Sequence, residues 1–162
     1  MSGRVLLVTG SRALADTPAA EAWARDKLRA ALDWWEPTLI VHGGCPRSPD
    51  VWAVDRADRV AEVFYADGRR VLYDEWDAVR SAGSWLLPGD HAHPLLRNTR
   101  MVAAVTTRVR AGAEVLVVGL TAPWARTHGT EHALGRAEDY GLRIARRACP
   151  AELGAGVRDA QR

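Results

Sequence analysis

Lysine is nearly missing from this chain of 162 residues: Lys27 is the only one, and the other 21 basic side chains are arginine. Arginine offers phosphate and carboxylate a planar fork rather than a point charge. The bias is uniform along the chain, however, so a single arginine counts only with a positional argument. Cysteine is scarce too. Cys45 and Cys149 lie too far apart for a disulfide framework and neither forms a C-x-x-C pair, which points to a reduced cytoplasmic setting. No apolar run approaches the roughly 20 residues of a membrane span, and Val5–Val8 is too short for a signal segment. The G-x-G-x-x-G, P-loop, G-x-S-x-G and H-E-x-x-H patterns do not occur, which removes the conventional dinucleotide, Walker, serine-hydrolase and zincin readings. His91-x-His93 lacks a third ligand at a workable spacing. No metal and no cofactor are therefore expected.

What is present is an ordinary globular composition, 48% apolar with a formal net charge of +2. Residues 143–162 carry five arginines against Glu152 and Asp159, and residues 1–142 sum to −1. The basic excess belongs to the C-terminal end, not to a nucleic-acid face, which would need clustered cations on the fold itself.

Apolar runs and helical stripes alternate. Val5–Val8, Leu39–Val41, Val71–Tyr73, Val115–Val118 and Leu142–Ile144 read as strands. Asp16-Thr17-Pro18 starts a helix with Trp23, Leu28, Ala31, Leu32 and Trp35 along one face, and Pro37 stops it. Asp50 opens a second helix carrying Trp52, Ala53, Ala57, Val60, Ala61 and Phe64 to a cap at Gly68. Residues 75–94 form a long loop. A third helix covers about 95–111, with Leu96, Met101, Val102 and Val105 inward, and a fourth begins near Gly129. The expectation is an α/β fold, a single Rossmann-like three-layer sandwich with a central parallel sheet of about five strands. Residues 1–149 form the domain and 150–162 a flexible tail.

The special residues fall just past strand ends, where ligands bind in open parallel sheets. Gly10, Ser11 and Arg12 follow the first strand; glycine lets backbone N–H groups approach an anion, and serine and arginine add donors. His42, Gly43 and Gly44 follow the second, with Asp50 reading as a helix N-cap. Arg97 and Asn98 lie near a helix start, where a cation opposes the macrodipole and so suits an anionic neighbour. Gly129 and Thr130 open the last main helix, whose free N–H groups can take a phosphate. Trp76, Trp85 and Trp124 lie in loops over this edge, Trp76 and Trp124 being the candidates for base stacking. Cys45 beside His42 reads as a half-buried thiol before a nucleophile.

Several of these stretches resemble a known family. V-T-G-S-R at 8–12, V-H-G-G at 41–44 with Asp50 and Ala53, and Gly68 with Trp76 come first. Ala82-Gly83, Arg97-Asn98-x-x-Met101 and Gly129-Thr130 follow in order. Over residues 4–145 the chain is similar to the YspA-like (YpsA-related) branch of the SLOG superfamily, kin to the Lonely Guy phosphoribohydrolases and the DNA-processing DprA proteins. The resemblance implies a Rossmann-like pocket for a nucleotide or nucleotide derivative, lined by Gly10, Ser11, Arg12, Gly43, Gly44, Asp50, Arg97, Asn98, Gly129 and Thr130. The hydrolytic branch has R-K-x-x-M and a glutamate three residues past the threonine. Here Asn98 and Ala133 stand at those places.

Binding or sensing of an ADP-ribose-like, cyclic or free nucleotide is the leading expectation. An N-glycosidic-bond hydrolase is the alternative, with Asp50 or Glu131 as catalytic candidates, although Glu131 comes two positions early, about 200° around the helix. A DprA-like DNA-handling module comes third, opposed by the near-neutral core. The expected partner is a small nucleotide derivative, with a homodimer entertained, and neither nucleic acid nor membrane.

Overall fold

A computed structural model describes residues 3–45, 47–55, 62–64, 70–72 and 94–154. The chain enters β1 (Arg4–Gly10), makes a 3-10 turn (Arg12–Ala15) and continues through α1 (Pro18–Trp35), β2 (Leu39–His42) and α2 (Pro49–Asp55). β3 (Glu62–Phe64), β4 (Arg70–Leu72), α3 (Pro94–Arg110), β5 (Glu114–Thr121), α4 (His128–Asp139) and β6 (Arg143–Ala148) complete it. The sheet order is β4-β3-β2-β1-β5-β6. Four strands, β2, β1, β5 and β6, make its parallel centre. Three-residue β3 adds parallel to β2, and β4 lies antiparallel at the edge. The α/β class with a parallel sheet thus stands. Within it, four longer strands form the centre and two three-residue strands, β3 and β4, lie to one side.

β1 runs through the middle of the sheet, which is why residues 5–8 are apolar without alternation: a strand covered on both faces buries every side chain. Leu6 and Val8 pack with Ala24 and Leu28 of α1 and Trp52 and Ala53 of α2. Val5 and Leu7 point the other way, onto Met101, Val102 and Val105 of α3 and Leu134 and Ala137 of α4. Fully burying such a side chain contributes about 1.5–3 kcal/mol.

α1 begins as its sequence suggests, with Thr17 as the capping residue. Its hydroxyl accepts the Ala20 N–H at 3.1 Å, and Pro18 takes the first turn. The helix ends at Glu36, in the left-handed region at φ 45° and followed by Pro37. Trp35 turns inward and donates from Nε1 to the Val5 carbonyl at 3.0 Å.

Three expectations change. The helix expected from Asp50 to Gly68 does not run that far: α2 is described over Pro49–Asp55, and residues 62–64 form β3. In α3, Met101, Val102 and Val105 are buried as expected, but Leu96 is exposed. Residues 151–154, expected in the tail, belong to the fold. Residues Ala151–Gly154 form a 3-10 turn, and the Leu153 carbonyl accepts the Thr17 hydroxyl at 2.6 Å. Residues 155–162 lie outside the described residues. Among the described residues no helix is long and apolar enough to cross a membrane.

Candidate functional site

The turns after β1, β2 and β5 meet at one end of the sheet and enclose a cleft of about 860 Å³. Parallel pairing requires the meeting, because β2 and β5 flank β1 and all three run the same way. Seven of the expected residues line the cleft: Gly10, Ser11, Arg12, Asp50, Asn98, Gly129 and Thr130.

The first turn stays flat against the sheet because the Ser11 N–H donates to the Leu120 carbonyl at 2.9 Å. The Ser11 side chain then caps the 3-10 turn, accepting the Ala13 N–H at 3.2 Å. Gly10 has a steric reason to be glycine. A Cβ there would stand 2.2 Å from Pro49 Cγ, so α2 seats its first residue directly on the β1 backbone.

The second turn is held from within. Asp50 is not the N-cap: α2 starts at Pro49, and the Ser48 hydroxyl accepts the Asp50 N–H at 3.3 Å while donating to the Cys45 carbonyl at 2.6 Å. The Asp50 carboxylate, only 4% exposed, folds back to accept the N–H groups of Gly43 at 3.0 Å and Cys45 at 3.5 Å. His42 is fully buried and its Nδ1 accepts the Gly44 N–H at 2.9 Å. That bond requires Nδ1 to carry a lone pair, so the imidazole is neutral with its proton on Nε2. Gly44 takes φ 67°, a conformation that glycine adopts at no steric cost. His42, Gly43 and Gly44 therefore build the turn from beneath, while Cys45, Arg47 and Asp50 face the cleft.

The third wall is the start of α4. Thr127 precedes it without a side-chain capping bond, which leaves the first-turn N–H groups without that partner. The Asn98 amide donates to the Gly129 carbonyl at 2.9 Å and so ties α3 to this turn. Gly129 itself is unconstrained by its neighbours: a Cβ there would find nothing nearer than Asn98 Nδ2 at 4.0 Å. Thr130 is 5% exposed and Thr9, across from it on β1, 6%. Both line the cleft, and neither hydroxyl has a hydrogen-bond partner among the described residues.

Charge completes the picture. Arg12, Arg47 and Arg126 reach the cleft, opposed by Asp16 and Asp50. None of the three arginines makes an ion pair in the described structure. Away from the cleft, Arg4, Arg25, Arg29, Arg136 and Arg146 all pair with carboxylates. Three guanidinium groups without an ion pair among the described residues thus stand where the backbone donors are.

Other expected residues lie elsewhere. Glu131 is exposed and bridged to Arg146 of β6, a place fixed by its two-residue offset on α4. Ala133 is fully buried in the core. Trp124 is no stacking platform: it packs on the core and against Gly154, and its Nε1 is buried without a hydrogen-bond partner among the described residues. Trp76, Trp85, His91 and His93 lie outside the described residues, as does the side chain of Arg97. Sequence reasoning missed Arg47, Arg126 and Ser48. Only the position of each just past a strand end could have singled them out.

Comparison with protein-family models finds no match, and neither the curated proteins nor the solved structures contain a match to this chain.

Proposed function

We propose that this chain binds a nucleotide or nucleotide derivative in the cleft, with a phosphate at the start of α4. The observation that carries the reading is a pair of largely buried threonines, Thr9 and Thr130, that line the cleft with hydroxyls lacking a partner among the described residues, beside an uncapped helix N-terminus. Such hydroxyls can donate to a ligand acceptor in place of water. Helix N–H groups suit an anion, and Arg12 and Arg126 add charge-assisted donors. The fold is then read as Rossmann-like with three layers, and the chain as a sensing or binding relative of the YspA-like SLOG branch.

Hydrolysis of an N-glycosidic bond is the second reading. It now rests on Asp50 alone, since Glu131 is turned away toward Arg146 and Ala133 offers no carboxylate. Oxocarbenium-like chemistry needs a carboxylate free to act, whereas that of Asp50 holds two backbone N–H groups. Binding without turnover is favoured for that reason.

Calorimetry against a panel of nucleoside mono- and diphosphates tests the proposal. Binding is expected, weakened about tenfold or more by Thr130→Val, as for loss of a donor to a charged group. No binding by the wild type, or full affinity in an Arg12→Ala/Thr130→Val double variant, overturns it. Release of free base from a nucleoside monophosphate would restore the hydrolase.

A further inference from the structure

From the placement of Arg47 we infer that the cleft holds two separate anionic subsites, and that its ligand is a nucleotide bearing two phosphoryl groups rather than one. This rests on the nucleotide reading above and narrows it.

The strand order sets the spacing. Arg47 follows β2, while Arg126, Gly129 and Thr130 belong to the turn after β5, and β1 lies between them. Neighbouring strands are about 4.8 Å apart, so the two turns leave the sheet on the order of 10 Å from each other. That is wider than one phosphate group. A phosphate seated at the α4 N-terminus with Arg126 leaves Arg47 on the opposite wall, with Arg12 between them.

Arg47 is also held there at a cost. It adopts φ 52°, a left-handed conformation that glycine takes freely and that strains other residues. The buried Ser48 next to it, bonded to Cys45 and to the Asp50 N–H, fixes the turn in that shape. The result is an exposed guanidinium that lines the cleft without an ion-pair partner among the described residues. Asp50 makes no ion pair with it, its Oδ2 instead accepting the N–H groups of Gly43 and Cys45. A second anionic group on the ligand is the partner this arrangement fits.

Calorimetric titration of the full chain with adenosine 5′-monophosphate, adenosine 5′-diphosphate and adenosine 3′,5′-bisphosphate tests the inference. At least one two-phosphoryl probe should bind about tenfold more tightly than the monophosphate. That advantage should vanish in Arg47→Gln, with affinity for the monophosphate falling by less than that for the two-phosphoryl probe. Arg47→Gly removes the charge while relieving the backbone strain, so it should give the same loss with folding at least as stable. Equal affinity for one and two phosphoryl groups overturns the inference and leaves the nucleotide reading intact. So does an advantage that survives both variants. Failure of all three probes to bind overturns both.

Discussion

Gly10 and Gly129 line the same cleft for opposite reasons. The first is glycine because Pro49 occupies the space of its side chain; the second has open space in front of it. Gly10→Ala should therefore destabilise the protein by about 1–3 kcal/mol, the usual cost of overpacking. Gly129→Leu should leave the urea midpoint nearly unchanged and weaken nucleotide binding at least tenfold, by filling the ligand's space. Gly10→Ala with wild-type stability would mean that Pro49 yields easily. Undiminished binding by Gly129→Leu would move the phosphate away from α4. The glycines were legible because a G-S-R or G-T string past a strand end stands out. Arg47 and Arg126 were not, because in a chain with 21 arginines a single one carries no signal until the fold gives it a place.

Whole elements were legible in proportion to their length. β1, β2, β5 and α1 are long or uniformly apolar enough to be read directly. The stretch after Asp50 misled for a physical reason: Trp52, Ala53, Ala57, Val60, Ala61 and Phe64 keep helical spacing, and three-residue β3 is too short to show a period of its own. The C-terminal turn was hidden differently, since the contacts that hold it against the fold are tertiary. Thr17 binds the Leu153 carbonyl, and Gly154 abuts the Trp124 ring, where a Cβ would approach within 2.4 Å. Trp124 sits two residues before Arg126, so this turn braces one wall of the cleft. Gly154→Val should displace the indole, shifting its fluorescence to the red and lowering stability by about 1–3 kcal/mol. An unchanged spectrum and melting curve would show that residues 151–154 are dispensable to that wall.

Across the molecule, the two thiols report on different motions. Cys45 lines the cleft half-exposed; Cys149 is 2% exposed beneath the C-terminal turn. Burial pushes the Cys149 thiol above its ordinary range, with Glu152 adding to the effect. The thiolate is the reactive form, so an aromatic disulfide reagent should modify Cys45 rapidly and Cys149 only as the protein opens. Folding disfavours the Cys149 thiolate, so stability should fall as pH rises through the thiol's unfolded-state value. Two equally fast modification phases would place Cys149 at the surface.

The same sheet that gathers the cleft also ends, among the described residues, in a strand with nothing beyond it. β6 is the last strand in the order and is largely solvent-facing. It carries Arg143 stacked over Trp34 and Trp35, Arg146 bound by Glu131 and Glu138, and Arg147. A strand from another molecule could reach its open backbone only by crowding these guanidinium groups and stripping them of water. Charged edges of this kind are how sheet proteins discourage strand addition and aggregation. The arginines of β6 thus guard the outer edge of the six described strands.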